Sequence, residues 1–149
     1  MINSEENKSS NYIHVVAAII WQPGSRDRFL ISKRQKGKHL QDYWELPGGK
    51  MECGESRRQA LDREIREEID IVIVKARGFK QVNHNYEDRS ILLDVWEVRS
   101  FNGNVKPREG QKVRWIAVDE MAKYRFPAAD LPILEAIANN VTVKKEHLL

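Results

Sequence analysis

Leu61, Ile65 and Ile69 recur every fourth residue between Ser56 and Ile69, a spacing that gives an α-helix with one apolar stripe to bury. Ser56 followed by Gln59 has the form of a capping box, so the start of the helix is encoded as well. A helix turns by about 100° per residue, which places Glu64, Glu67 and Glu68 within an arc of roughly 100° beside the stripe rather than opposite it. Carboxylates crowded at the border of a buried face repel one another and raise each other's pKa. A hard divalent cation relieves that repulsion, and oxygen-only ligands on a rigid element suit magnesium or manganese. The same glutamates, interleaved with Arg57, Arg58, Arg63 and Arg66, read equally as a solvated charged face.

Around this helix the chain supplies mostly strands. Ile13 to Trp21 is a near-continuous apolar, β-branched run and reads as a buried strand. Arg28 to Arg34, Ile71 to Val74, Phe79 to Asn83, Ser90 to Val98 and Val113 to Val118 read as further strands. Pro47-Gly48-Gly49 forbids regular helix just before the capping box. Phe101 to Asn104 reads as a turn, Asp119 as the cap of a short helix, and Leu131 to Asn140 as a last helix with Pro132 in its first turn. Strands before and after a central helix imply an α/β (α+β) fold, a mixed sheet sandwiched between helices. Residues 1–11 are polar and read as a disordered tail, leaving residues 12–149 as one domain.

Charge and cysteine content narrow the function classes. The net charge is +3, from 25 basic and 22 acidic side chains, too even a balance for a nucleic-acid groove. Lys33, Arg34, Lys36 and Lys38 make one cationic cluster, enough for a single polyphosphate. Cys53 is the only cysteine, in keeping with a reducing compartment. The first ten residues lack the apolar core of a secretory signal, and Val15 to Trp21 is too short to cross a bilayer. A cytoplasmic protein without membrane or nucleic-acid polymer partners is expected, as a monomer or homodimer.

The segment from Gly49 to Ile71 resembles the Nudix box, G-x5-E-x7-R-E-U-x-E-E-x-G-U with U aliphatic. Gly49, Glu55, Arg63, Glu64, Ile65, Glu67, Glu68 and Ile71 all stand in register, a coincidence well below ~1 in 10⁴ by composition. Asp70 departs from the pattern, which has Gly there to end the helix left-handed, a conformation Asp tolerates better than most residues. Trp44 to Lys50, Val15 to Ile20 and Phe126 to Pro132 are similar to the MutT branch of that family. The resemblance implies a Nudix fold and hydrolysis of a nucleoside triphosphate to monophosphate and pyrophosphate, with Mg²⁺, or Mn²⁺ in its place, as cofactor. It further implies that Glu64, Glu67, Glu68 and Glu109, with the Gly48 carbonyl, bind the metal. Glu64 aligns or deprotonates the attacking water, Glu55 and Arg63 form an ion pair joining loop to helix, and Arg34 grips phosphate. Glu109 reads otherwise as a plain loop acid, and Arg34 as a strand-end surface charge.

Base choice falls on Asp130. An ionised carboxylate only accepts hydrogen bonds, and cytosine offers its exocyclic amino group. Asp130 with Leu131-Pro132 after it resembles the CTP pyrophosphohydrolase branch, where the 8-oxo-dGTP enzyme has Asn; Asp130 reads otherwise as a helix N-cap. Tyr86 stacks on the base or belongs to the core, and Leu46 pads the opposite side. Cytosine triphosphates, modified forms included, are the expected substrates, 8-oxo-dGTP the alternative. A catalytically silent nucleotide-binding module is the reading from another class, and the intact box glutamates oppose it.

Overall fold

The computed structural model describes residues 12–38 and 40–148, with side chains to residue 141. The expected disordered tail, residues 1–11, lies outside the described residues. The strands are β1 (Tyr12–Ile20), β2 (Arg28–Lys33), β3 (Trp44–Glu45), β4 (Gly48–Lys50), β5 (Val72–Asn85), β6 (Ser90–Asn102) and β7 (Val113–Ala117). The helices are α1 (Arg57–Ile69) and α2 (Leu131–Leu148), with 3-10 turns at Val118–Lys123 and Ala128–Asp130.

The strands form two sheets. A mixed sheet runs in the order β4-β1-β6-β5, with β1 parallel to β6 and the other pairs antiparallel. An antiparallel sheet runs β3-β2-β7. The unbroken apolar run of β1 follows from its place between two cores. Val16, Ala18 and Ile20 point to one side and meet Leu61, Ile65 and Ile69 of α1. Ala17 and Ile19 point to the other, with Phe29 and Ile31 of β2, and meet Ile133, Leu134 and Ile137 of α2. The three stripe residues of α1 are fully buried, and truncating one of them to Ala would cost about 3 kcal/mol.

Four local features differ from the sequence reading or refine it. The two strands expected within residues 71–83 are one strand, β5, because irregularities between Ile73 and Lys75, Lys75 and Ala76, and Gly78 and Lys80 absorb the breaks in its pattern. Phe101 and Asn102 extend β6, and the chain turns at Gly103, whose φ is 97°. The segment from Trp44 to Lys50 yields β3 and β4, the latter an edge strand antiparallel to β1. The helix expected to be capped by Asp119 is the 3-10 turn Val118–Lys123, with Ala117 at its N-cap and the Glu120 carboxylate accepting the Ala117 N–H at 3.0 Å.

Candidate active site

Both ends of α1 are closed by local chemistry. Ser56 Oγ accepts the Gln59 N–H at 3.1 Å while Gln59 Oε1 accepts the Ser56 N–H at 2.9 Å. At the far end Asp70 adopts φ 60° and ψ 37°, the left-handed conformation that ends a helix, and donates its N–H to the Arg66 carbonyl. The last carbonyls of a helix lack intrahelical donors. Here the Lys106 N–H reaches the Ile69 carbonyl and the Arg108 N–H the Glu68 carbonyl, each at 2.9 Å. Buried Gln111 adds Nε2 to the Glu68 carbonyl at 3.0 Å and accepts the Glu109 N–H at 2.9 Å, while Gln35 donates to the Glu109 carbonyl. The loop acid Glu109 is thereby fixed over the C-terminal end of α1, facing its glutamates.

Arg63 organises the other side. It holds Glu55 through Nε at 2.7 Å and Nη2 at 2.9 Å, the Lys50 carbonyl at 3.0 Å, Glu64 at 2.8 Å and Glu67 at 3.3 Å. Gly49 packs so closely on Glu64 that a Cβ there would overlap its carboxylate, and a Cβ on Gly48 would overlap the Val16 carbonyl. The Gly48 N–H donates to Glu68 Oε2 at 2.9 Å. Pro47 and Met51 bond directly to β1, through Ala18 and His14. The alternation of the antiparallel ladder puts Gly49, opposite Val16, in the same bonded set, so the carbonyl of Gly48 between Pro47 and Gly49 points away from that strand.

Glu64, Glu68 and Glu109 line one cleft of about 280 Å³ with Ser32, Gln111 and the cations Lys33, Arg34, Lys38 and Lys50. Burial pushes the Glu68 carboxyl up to about 8; the Gly48 N–H opposes this, and Glu45 and Glu109 add to it. Burial also raises Glu64, against the pull of Arg63. Glu67 stands apart: it is exposed, touches Arg63, and lines neither this cleft nor the one beside it. Among the described residues no three His, Cys, Asp or Glu side chains are already gathered as a finished metal cage. The donor set nevertheless fits a hard divalent ion. It is oxygen-only, it includes an outward carbonyl, and two of its carboxyls, buried Glu68 and half-buried Glu64, have raised pKa values that a cation would relieve.

A second cleft, of about 470 Å³, adjoins the first and shares Arg34, Lys38, Glu45, Gly48, Gly49 and Lys50 with it. Beyond that common waist its walls are largely apolar, with Ile13, Val15, Leu46, Ile91 and Leu93, and Arg89 is the one further cation among its described lining residues. Asp130 also lines it, 8% exposed, and its Oδ2 has no hydrogen-bond partner. Burial raises this carboxyl to about 7; Glu45 adds to the shift and Arg34 opposes it. Asp130 closes the 3-10 turn that runs straight into α2. Tyr86 lines the same cleft half-buried, with its hydroxyl accepting the Ala129 N–H at 3.0 Å.

The structure thus brings Glu64, Glu68, Glu109 and Gly48 to one cleft, Leu46, Tyr86 and Asp130 to the other, and Arg34 to the waist. Glu45 was missed by sequence reasoning. It holds Arg34 at 2.6 Å, lines both clefts, and is raised by burial. Its position directly before Leu46-Pro47-Gly48-Gly49 was the available signal.

A sheet sandwich in which one capped helix sets glutamates against a Gly-Gly edge strand defines a hydrolase of the Nudix type. The chain belongs to the NUDIX domain family, whose model matches residues 16–136. Hydrolases of this family generally use divalent metal ions. The chain is similar to the CTP pyrophosphohydrolase of Escherichia coli K12, 37% identical over 83% of this chain and 90% of that protein. It is 32% identical to the 8-oxo-dGTP diphosphatase of the same organism, over 72% of this chain and 84% of that one. Among solved structures, one from a study of MutT from Aliivibrio salmonicida and Vibrio cholerae aligns with TM-score 0.75 and 36% identity, covering 87% of this chain and 98% of that one. The solution structure of the E. coli ORF135 protein aligns with TM-score 0.74 and 36% identity, over 87% and 90%. Among the described residues no helix is long and apolar enough to cross a membrane.

Proposed function

We propose that this chain is a magnesium-dependent nucleoside triphosphate pyrophosphohydrolase acting on cytosine nucleotides, modified forms included. The observation that carries this reading is the pair of joined clefts. One is lined by acids and cations that suit a metal and a polyphosphate, and the other is largely apolar beyond the shared residues and includes a buried acceptor without a donor. Glu64, Glu68, Glu109 and the Gly48 carbonyl are the residues proposed to hold the metal, with Glu67, which lines neither cleft, reaching Arg63 instead. When bound, the ion neutralises phosphate charge and acidifies water. Arg34, Lys38 and Lys50 at the waist orient the phosphates. Glu64, pressed against Gly49 and oriented by Arg63, takes the proton of the water that attacks the β-phosphorus. The bond from that phosphorus to the α-bridging oxygen breaks, and the nucleoside monophosphate leaves.

The ionised Asp130 accepts from the exocyclic amino group of cytosine. A relative named for CTP, 37% identical, supports that substrate. The raised pKa of Asp130 favours a second reading. Near pH 7 a large share of this carboxyl is protonated, and a neutral acid donates as well as accepts, the pattern an oxidised purine needs. The relatives named for 8-oxo-dGTP fit that case. Pyrophosphate release from CTP, dCTP and 8-oxo-dGTP, with magnesium present or withheld, tests the proposal. Magnesium-dependent release with CTP or dCTP ahead is expected. Preference for 8-oxo-dGTP would establish the second reading, and no release from any of the three would overturn both.

A further inference from the structure

We infer that Tyr86 is a positioning residue for base selection, its hydroxyl fixing the segment that presents Asp130 to the cleft. The inference rests on the reading of Asp130 as the group that accepts from the base. Tyr86 sits at the tip of the β5–β6 hairpin, where its backbone exchanges two hydrogen bonds with Arg89, at 2.7 and 3.3 Å. Its ring lines the base cleft and packs edge-on against His84, centroids 4.5 Å apart. Its hydroxyl reaches across forty-three residues of sequence to accept the Ala129 N–H at 3.0 Å.

That N–H belongs to the 3-10 turn Ala128–Asp130. The turn closes on itself through the Asp130 N–H to the Pro127 carbonyl, at 3.0 Å, and the Leu131 N–H to the Ala128 carbonyl. The first N–H groups of such a turn have no acceptor within it. Tyr86 supplies one, and ties the turn to the hairpin that forms the opposite part of the cleft wall. Asp130 is the next residue, buried, with Oδ2 unpartnered. Any shift of Ala129 therefore moves the unpartnered Asp130 acceptor in the cleft. The phenol oxygen accepts the Ala129 N–H, so Tyr86 acts on the base through the placement of Asp130.

Tyr86→Phe keeps the ring and the apolar lining and leaves the buried Ala129 N–H without its acceptor. Tyr86 lines the base cleft and not the acid cleft, so the effect belongs in KM and in base choice rather than in kcat. The experiment compares the full-length enzyme with Tyr86→Phe, Asp130→Asn and the double variant. CTP and UTP are the probes, since they share sugar and triphosphate and differ at the 4-amino group. Tyr86→Phe is expected to hold kcat on CTP within about twofold and to lower the CTP-over-UTP ratio of kcat/KM by about tenfold. The loss should vanish in the Asp130→Asn background, because the two residues act as one unit. Amide exchange at Ala129 should be faster in Tyr86→Phe, a readout independent of turnover.

An unchanged ratio in Tyr86→Phe, equal losses for both nucleotides, or the same additional loss in the Asp130→Asn background would each overturn the inference. Asp130→Asn lowering the ratio while Tyr86→Phe leaves it intact would remove the positioning role and spare the reading of Asp130. An intact ratio in Asp130→Asn would remove that reading, and the inference with it.

Discussion

The two clefts share a wall, yet they are built on opposite principles. The acid cleft is dense with polar groups, and each is held by another: Glu64 by Arg63, Glu68 by the Gly48 N–H, and Glu109 through its backbone by Gln35 and Gln111. The base cleft is largely aliphatic beyond the shared residues, and the buried Asp130 Oδ2 that lines it has no partner. On the proposed function, crowded carboxylates need a cation to share them, which assigns rate to the first cleft. On the same reading the unpartnered Asp130 acceptor assigns choice of base to the second.

The largest effect expected from this contrast is on turnover. Glu64→Gln and Glu68→Gln should fold normally by circular dichroism and lose about 10³-fold in kcat, because catalysis here is mostly charge stabilisation and positioning. Retention of near wild-type activity by either would break the assignment of rate to the acid cleft. Asp130→Asn should do the reverse, holding its best kcat and moving the ratio of kcat/KM for CTP over 8-oxo-dGTP by about 30-fold towards the oxidised purine. A ratio that does not move would take base choice away from this cleft. At the shared waist, Arg34→Gln should raise KM about tenfold for every triphosphate alike, since a phosphate contact carries no base information. Unequal rises among bases would place Arg34 in the base cleft instead.

A smaller effect lies in the stability of the metal-free protein. Glu68 sits at about 8 when folded against an ordinary value of 4.5, and Asp130 at about 7 against 3.8. In both cases the folded state holds the proton more tightly than the unfolded state. Their contribution to stability is complete below the unfolded pKa values and is lost as pH rises through the folded ones. The melting temperature should therefore fall as pH rises from about 4 to about 8. Glu68→Gln should remove about half of that fall, and saturating magnesium should reverse it above about pH 7. A metal-free melting temperature that stays level over this range would show that neither carboxyl is held protonated. Smallest of all, Asp70→Gly, away from the base cleft, should raise stability by about 1 kcal/mol by removing a Cβ from a left-handed position. No gain on thermal melting would mean that the exposed pairing of Asp70 with Arg108, 3.7 Å, matters more than the backbone.

How much could be read from the chain alone follows the same division. The part of the acid cleft that stands on α1 was legible because it is local, whereas Glu109 was reached only through the family resemblance, and Glu67, which the same periodicity grouped with Glu64 and Glu68, lines neither cleft. The cap at Ser56, the stripe of α1 and the glutamate spacing all lie within one helix and are set by one periodicity. The left-handed Asp70 was legible for the same reason. The base cleft was legible only in part, because its features arise from segments far apart in sequence. Glu45 gains its meaning where β3 pairs with β2 and brings it to Arg34, and no single strand pattern contains that. The tie between Tyr86 and Ala129 joins a hairpin tip to a turn before α2, and a tyrosine at a hairpin tip gives no sign of what its hydroxyl meets. β5 read as two strands because its bulges interrupt the alternation that marks a strand, although they leave its pairing with β6 continuous to Asn85.

The central claim is that the glutamates of α1 and the loop acid Glu109 gather a divalent ion at the Gly48 edge. Crystals soaked in manganese chloride and measured at the manganese absorption edge test it directly. An anomalous peak beside Glu64, Glu68 and the Gly48 carbonyl is the expected result; a well-ordered acid cleft with no peak at millimolar manganese would contradict it.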